Sequence, residues 1–340
     1  MTPKAPRAAP ARAAVARAPA RARRAEVAHR LGLPVAWGLI VALFGALEPS
    51  TFLTTANFQT IFGSQAVLVV VTLGLLIPLT AGDYDLSVAS VLTLAAMVVA
   101  LLNVDHGWSV GWAIAVAVLA GALVGLVNGA VVVLLRADSL IITLASGSVV
   151  SGVVLWISAS RTIGGVSSDL VDAVIVHRFL GIPLGFYYGL ALCVLLWYVF
   201  ELTALGRRLV FVGKGRRVAR LTGVRVDRLR CGAFVASATI AAAAGVLYAG
   251  TTGGADPSSG ATFLLPAFAA AFLGATTIVP GRFNPWGSLI AVYFLVTGIT
   301  GLQLLGAESF VQQLFYGGAL VVAVALSELT RGRRDEEAES

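Results

Sequence analysis

The 340-residue chain is 58% hydrophobic and only 12% charged, with a mean hydropathy of +0.90. Soluble proteins carry about 25% charged residues, so this composition excludes a soluble globular protein and predicts one that spans a membrane. The net charge of +7 would also suit a nucleic-acid-binding protein, and only the distribution of the basic residues can separate the two explanations.

The sequence predicts no catalytic site, metal site or cofactor in this chain. Cys193 and Cys231 lie within or at the edge of apolar runs, so they predict neither a disulfide framework nor a metal pair. His29, His106 and His177 are too scattered to form a catalytic cluster.

Residues 1–30 are rich in Ala, Arg and Pro and contain no acid before Glu26. Repeated prolines and like charges predict a disordered basic tail on the cytosolic side. A twin-arginine signal at Arg23-Arg24 or a transit peptide is the alternative, but no clear A-x-A cleavage site follows.

Ten apolar runs of roughly the length that a bilayer requires follow this tail. They predict helices, because backbone groups in lipid must bond internally. They lie near residues 32–47, 66–81, 86–103, 110–135, 139–159, 186–203, 231–250, 263–280, 286–304 and 310–328. The predicted membrane domain covers residues 31–329, and residues 330–340 are predicted to form a second cytosolic tail.

The distribution of Lys and Arg predicts the orientation. With ten spans and a cytosolic amino terminus, 22 of the 24 basic residues fall on the cytosolic side, and only Arg161 and Arg178 fall outside. Both termini are therefore predicted to be cytosolic. This topology explains most of the positive charge and argues against nucleic acid as a partner.

A basic segment over residues 201–230 interrupts the apolar sequence and becomes a cytosolic loop in this topology. Within it, Gly213-Lys214-Gly215 is predicted to break the chain, residues 216–222 to form about two helical turns, and Gly223 to cap them. A short amphipathic helix of this kind is typical of a docking element or a membrane-surface helix. The Gly213-Lys214 pair is not a P-loop, because Arg208 stands where that motif needs glycine, so no nucleotide site is predicted.

Polar residues also break the apolar sequence around residues 80–87, where Gly82, Asp83, Asp85 and Ser87 have no basic neighbour in sequence. Asp85 with Ser87 is predicted to cap the next helix, and contact with a transported solute is the alternative.

The pattern T-x-G-x-x-D-x-S occurs at residues 80–87 and again at residues 251–258, where it contains Asp256. The two copies fall on opposite sides of the predicted membrane, as an inverted-topology repeat requires, and chance is the alternative for so short a match. Between them, Thr143 and Ser146 belong to a stretch of hydroxyl and small residues that predicts close helix packing or a polar path.

These motifs together resemble a family. Gly82-x-x-Asp85-Leu86-Ser87-Val88-x-Ser90 resembles the G-G-I-D-L-S-V-G-S signature of the ribose/galactose-type permease subunits of bacterial ABC importers. Asn128-Gly129 with residues 139–144, the loop from Leu205 to Val224, and residues 273–287 resemble later motifs of that family in the same order. The resemblance covers residues 35–328. Asp83 and Ala89 replace glycines of the first signature, and Lys214-Gly215 replaces Gly-Asn in the loop.

The resemblance implies an all-α inverted-repeat bundle in the bacterial inner membrane, with no catalysis of its own. Such subunits lie in membrane lipid and associate in pairs. They receive a small solute, here a monosaccharide, from an extracytoplasmic binding protein. They also bind a cytosolic ABC ATPase, which is the subunit that binds ATP-Mg. The loop equivalent to residues 204–230 makes that contact. The docking residues implied are Gly213, Arg216, Arg217, Ala219, Arg220, Leu221, Thr222 and Gly223.

Two alternatives stay open at this point. A branched-chain amino-acid permease shares the Thr-Leu-rich and glycine-rich segments, although Asp85-Leu86-Ser87 favours the sugar type. An ion-coupled secondary transporter can also have inverted halves, but it needs membrane-embedded acids, and Asp83, Asp85 and Asp256 are the only near candidates.

Overall fold

The computed structural model describes residues 20–339, with side chains described for residues 31–326. The chain is almost entirely helical. The helices are α1 (Ala20–Leu47), α2 (Pro49–Phe52), α3 (Thr55–Ser64), α4 (Ala66–Thr80), α5 (Val88–Ala100), α6 (Val110–Leu134), α7 (Ser139–Ile157), α8 (Ser168–Val171), α9 (Leu184–Trp197), α10 (Ala204–Lys214), α11 (Arg216–Leu221), α12 (Val226–Thr252), α13 (Ala261–Gly274), α14 (Pro285–Leu304) and α15 (Ser309–Glu339). Segments of π-helix continue α5, α8 and α9 at Leu101–Asp105, Asp172–Val176 and Tyr198–Leu202.

Four two-residue strands form two antiparallel pairs between the helices. Strand β1 (Ile163–Gly164) pairs with β4 (Gly254–Ala255), and β2 (Arg178–Phe179) pairs with β3 (Ile182–Pro183). The β1–β4 pair joins two segments that are far apart in the chain, whereas β2–β3 is a local hairpin.

The predicted all-α membrane fold is confirmed. Eight helical segments among the described residues are long and apolar enough to cross a bilayer, and Leu31–Leu47 and Ala261–Gly274 are shorter apolar helices in the positions of the other two predicted spans. The predicted span 66–81 is part of a longer segment, Thr55–Thr80, because α3 continues into α4 with only Gln65 between them.

The structure describes part of each predicted tail, and the first of them differs from the prediction. Residues 1–19 and 340 lie outside the described residues, but α1 begins at Ala20 and α15 continues to Glu339. Residues 20–30 are therefore helical where a disordered tail was predicted. Ala and Arg favour helix, and after Pro19 no proline occurs before Pro34.

Helices α4, α5, α12 and α14 form the centre of the bundle. Every residue of α4 is buried, which explains why its sequence is apolar on all faces and lacks helical periodicity. Helices α6, α7, α9 and α15 bury less than a third of their residues and leave many large apolar side chains exposed, as helices that contact lipid do.

A glycine stripe on α6 allows it to pack closely against α12. Gly121, Gly125 and Gly129 recur every four residues and are all buried. A Cβ added at Gly125 would lie 2.5 Å from the backbone oxygen of Phe234, and one at Gly129 would lie 2.9 Å from Cα of Cys231. Lipid gives no hydrophobic drive for helix association, so this close backbone approach supplies the packing energy.

We expect Gly125→Ala to lower the melting temperature of the purified protein in detergent, because the added methyl meets fixed backbone. Such overpacking costs about 1–3 kcal/mol. The matched control is Gly152→Ala on α7, where an added Cβ meets nothing within 4 Å. Removing a helical glycine there should leave stability unchanged or raise it by about 0.5 kcal/mol. Equal melting temperatures for the two variants would contradict the packing role of the stripe.

Contacts between connecting segments divide the molecule into two ends. At one end, which we call the basic end, residues 201–230 contact residues 80–83, and Arg282 pairs with Glu201 at 3.3 Å. At the opposite end, Arg161 pairs with Asp105, and Thr162 hydrogen-bonds Asp256. This division agrees with the sides predicted from Lys and Arg, and the predicted cytosolic side corresponds to the basic end.

Candidate functional site

Helix α4 ends at the basic end in a turn that requires Gly82. The backbone N–H of Gly82 donates to Leu79 O at 3.1 Å and that of Asp83 donates to Pro78 O at 2.9 Å. Both bonds satisfy carbonyls that the end of a helix leaves free, and they place Gly82 at a φ of 78°, where glycine is favoured. We call residues 81–87, which connect α4 to α5, the first break.

Asp83 is buried at the first break and binds two arginines, a group that we call the Asp83 cluster. Arg230 donates from Nε to Oδ2 at 2.7 Å and from Nη2 to Oδ1 at 2.6 Å, a bidentate pair. Arg216 donates from Nη2 to Oδ1 of Asp83 at 2.8 Å and to the carbonyl of Gly82 at 2.6 Å. This cluster was not predicted, because the arginines follow Asp83 by 133 and 147 residues.

Asp85 forms a second polar group two residues further on. Its Oδ1 accepts from the backbone N–H of Ser87 at 3.1 Å and from its hydroxyl at 2.6 Å, and Asn128 donates to that hydroxyl at 2.9 Å. The predicted cap is therefore right in part. Asp85 binds Ser87, the residue just before α5, but the Ser87 hydroxyl itself makes no capping hydrogen bond to the helix.

The environment of Asp85 is apolar and incompletely paired. Burial raises the pKa of Asp85 above its usual value, although Ser87 donates to it. Asp85 Oδ2 and Asn128 Oδ1 are buried and find no hydrogen-bond partner of good geometry within the described part of the chain, and the Ser237 hydroxyl lies near the Asp85 carboxylate. Asp85 therefore lies where a charged carboxylate is costly.

Hydroxyls of α7 bind the backbone of the first break. Ser139 Oγ accepts from the N–H of Tyr84 at 3.1 Å, and Thr143 Oγ1 accepts from the N–H of Leu86 at 3.0 Å. Thr143 thus holds the backbone of the first break, and its place on a polar path stays a prediction. Ser146 is half-buried and donates to the carbonyl of Thr143 on its own helix, so it lies outside this group.

We expect Thr143→Val to loosen the first break, because the buried N–H of Leu86 loses its acceptor while the side-chain shape is kept. An unsatisfied buried group costs about 1–3 kcal/mol. Hydrogen exchange at Leu86 should accelerate by about tenfold or more. Ser148→Ala is the control, since Ser148 is exposed and bonds only within α7. Unchanged protection at Leu86 in Thr143→Val would contradict the assigned contact.

The second copy of the sequence pattern forms the same local turn at the opposite end. Asp256 Oδ1 accepts from the N–H of Ser258 at 2.9 Å and from its hydroxyl at 2.6 Å, matching the bonds of Asp85. Gly253, like Gly82, has a positive φ, of 67°. We call residues 253–260 the second break. The shared geometry supports an inverted repeat rather than a chance match.

The two breaks differ in what holds them. Strand β4, within the second break, pairs with β1, and Thr162 donates to Oδ2 of Asp256 at 2.7 Å. The hydrogen bonds from Ser258 and Thr162 hold the pKa of Asp256 below its usual value. These contacts place Asp256 at the opposite end of the bundle from Asp83 and Asp85. The residues predicted to lie along a path are therefore split between the two ends.

The basic loop consists of two helices rather than one. Helix α10 was not predicted. It continues through Gly213 to Lys214, so the break predicted at residues 213–215 consists of Gly215 alone. Helix α11 and its Gly223 cap are confirmed, with Gly223 at a φ of 83°. Gly213 packs on the carbonyl of Thr80 so closely that a Cβ would overlap it.

The side chains of α11 point in three directions. Ala219 is buried against Val212 and Val226, which fixes the helix to its own loop. Arg216 reaches the first break, and Arg220 pairs with Asp227 at 2.7 Å. On the free face, Val218 and Leu221 are 56% and 81% exposed. Thr222 ends the helix and donates to the Ala219 carbonyl.

Exposed apolar side chains surrounded by arginines form a surface typical of a protein contact. Among the predicted docking residues, Leu221 and Arg217 lie on this surface, together with Val218. Gly213, Arg216 and Ala219 instead hold the loop against the bundle and within itself. Sequence patterns could not separate these roles because all lie within eight residues.

Comparison with known proteins gives a consistent result. A family model described as the permease component of branched-chain amino acid transport systems matches residues 57–324. The D-allose transport system permease of Escherichia coli K12 is 31% identical, over 86% of this chain and 89% of that protein. The ribose import permease of Bacillus subtilis is 30% identical, over 88% and 93%. The L-arabinose ABC transporter permease of Azospirillum brasilense is 29% identical, over 93% of each. No solved structure matches significantly.

Proposed function

Because the chain belongs to the family of ABC transport permease components, as a multi-pass protein of the bacterial inner membrane, we propose that it is the membrane subunit of an ATP-driven monosaccharide importer. A transport permease, rather than an enzyme, is what this family comprises. The observation that carries the proposal is the match to sugar permeases along nearly the whole chain.

The monosaccharide class is inferred from the named relatives, which import D-allose, ribose and L-arabinose. The description of the family model names branched-chain amino acids, so amino acids are the second substrate class. Of the three acids that an ion-coupled mechanism could use, Asp83 is paired with two arginines and Asp256 is held at the opposite end. Asp85 is then left as a single candidate without a second acid beside it, and the named relatives give no support for ion coupling.

The partners follow from the proposed function. A cytosolic ABC ATPase, which binds ATP-Mg, docks on the exposed face of α11, and an extracytoplasmic binding protein delivers the solute to the opposite end. A second copy of the permease completes the pathway within the membrane. The mostly exposed apolar helices α6, α7 and α15 supply surface for lipid and for this second copy.

Transport by proteoliposomes tests the energy source. Vesicles that hold the permease, its ATPase and its binding protein should import labelled sugar when ATP is supplied on the ATPase side, and collapse of the ion gradients should not stop uptake. Vesicles without ATP are the control. Uptake that follows an ion gradient and ignores ATP would replace the proposal with a secondary transporter.

A further inference from the structure

Three contacts attach the first break and Thr80, the residue just before it, to helices α10 and α11 of the cytosolic loop. Arg216 binds the Asp83 carboxylate and the Gly82 carbonyl, and Gly213 packs directly on the Thr80 carbonyl. Two of these contacts are to backbone carbonyls. They therefore fix the position of the backbone and not only that of one flexible side chain. Movement of α11 relative to the bundle must therefore move the first break or disrupt these contacts.

The two arginines of the Asp83 cluster are placed for different tasks. Arg230 is buried, belongs to α12 and binds both oxygens of Asp83. This bidentate pair already compensates the charge of a carboxylate that is 1% exposed. Arg216 extends from the surface helix α11, with a side chain that is 43% exposed, and reaches the same carboxylate from outside. Its ion pair adds a mechanical connection that charge compensation alone does not require.

The repeat supports this distinction. Asp83 stands one residue after the positive-φ glycine of the first break, and Gly254 stands in the same position of the second. Gly254 has no side chain and joins β4 to β1, an extramembrane segment of its own end. Each break is thus attached to a segment at its own end of the molecule, the first through a carboxylate and the second through backbone pairing.

We propose that Arg216 is a positioning residue that transmits movement of the docked ATPase to the first break through Asp83 and Gly82. This inference rests on the proposed function and deepens it, because it separates transmission from docking. Val218 and Leu221 hold the ATPase on the free face of α11, and Arg216 connects the opposite side of the same helix to the membrane domain.

The test measures solute imported per ATP hydrolysed, in proteoliposomes supplied with the ATPase, the binding protein and labelled D-allose, ribose, L-arabinose or fructose. Arg216→Met should keep the ATPase bound and hydrolysing, while the ratio falls by about tenfold, as loss of a charged hydrogen bond allows. Arg136→Met is the control, since Arg136 is an exposed arginine of the basic end outside the docking loop, and it should stay within about twofold of wild type.

Two further variants keep the test decisive if Arg216→Met does not accumulate. Arg216→Lys should largely restore the ratio, because a single nitrogen, Nη2, makes both bonds of Arg216. Asp83→Asn combined with Arg230→Met removes the acceptor charge without leaving Arg230 buried and unpaired, and this double variant should uncouple as Arg216→Met does.

Equal ratios for the Arg216→Met and Arg136→Met variants would overturn the inference alone. Loss of ATPase binding in Arg216→Met would also overturn it, by making Arg216 a docking residue. A wild-type complex that binds its ATPase but imports none of the four sugars on ATP addition would overturn the proposed function, and with it this inference.

Discussion

Replacing Leu221 with aspartate should abolish ATP-dependent uptake by releasing the ATPase from the membrane subunit. Leu221 is 81% exposed on α11, so the substitution disturbs no packing within this chain. An apolar anchor at the centre of an interface carries about 2 kcal/mol or more, and a buried carboxylate adds a desolvation cost. Affinity for the ATPase should fall by about 30-fold or more. Co-purification of the ATPase with the tagged permease measures the effect.

The chain offers a control with the same change at the opposite end. Leu180 is 83% exposed and lies between β2 and β3, away from the basic loop. Leu180→Asp should leave ATPase co-purification at the wild-type level. Full retention of the ATPase by Leu221→Asp would show that α11 is not the docking helix. A loss that is equal in both variants would show that the effect is a general one on the membrane protein.

Replacing Arg230 with methionine should destabilise the protein more than the same replacement of any other arginine between residues 31 and 326. The Asp83 carboxylate would lose both bonds from Arg230 and keep only the single bond from Arg216. Breaking a buried ion pair by removing one partner costs about 3–5 kcal/mol of folding stability. Because the bond from Arg216 remains, we expect a cost near the lower end of this range. Thermal unfolding in detergent should show a melting temperature lower by about 5 °C or more.

Two comparisons separate the charge of Asp83 from the loss of packing. Arg230→Met combined with Asp83→Asn should recover much of the lost stability, because no uncompensated charge then remains buried. Arg220→Met removes an exposed partner of Asp227 and should change stability by less than about 1 kcal/mol. If Arg220→Met and Arg230→Met shift the melting temperature equally, the buried pair has no special energetic role.

Several features of the structure follow directly from local chemistry and were predictable. Apolar runs specify membrane helices because backbone groups have no partner in lipid, and lysine and arginine mark one side. Gly82 and Gly223 end helices because only glycine adopts a positive φ without strain. The repeat of Asp85 with Ser87 and Asp256 with Ser258 was visible because each turn is formed by residues two apart.

Contacts between distant residues were not predictable from one sequence. Asp83 has no basic neighbour along the chain, and nothing local selects Arg216 or Arg230 from the nine basic residues of the loop. Helix α10 was not predicted within the basic loop, and the burial of Leu209 and Val212 shows that tertiary packing stabilises it. The α6 glycine stripe did leave a signal, a glycine at every fourth residue, that indicates close helix packing.

The distance in sequence between Asp83 and its arginines has a consequence for biosynthesis. Ribosomes add about 5–20 residues per second, so Arg230, 147 residues later, is made roughly 7–30 s after Asp83. For most of this interval the carboxylate has neither partner, since Arg216 is made 133 residues after Asp83, and an unpaired charge within hydrocarbon is costly. The first break must therefore wait at the membrane surface, where Asp83 contacts water. Helices α4 and α5 reach their final depth only after α12 has been synthesised and inserted beside them.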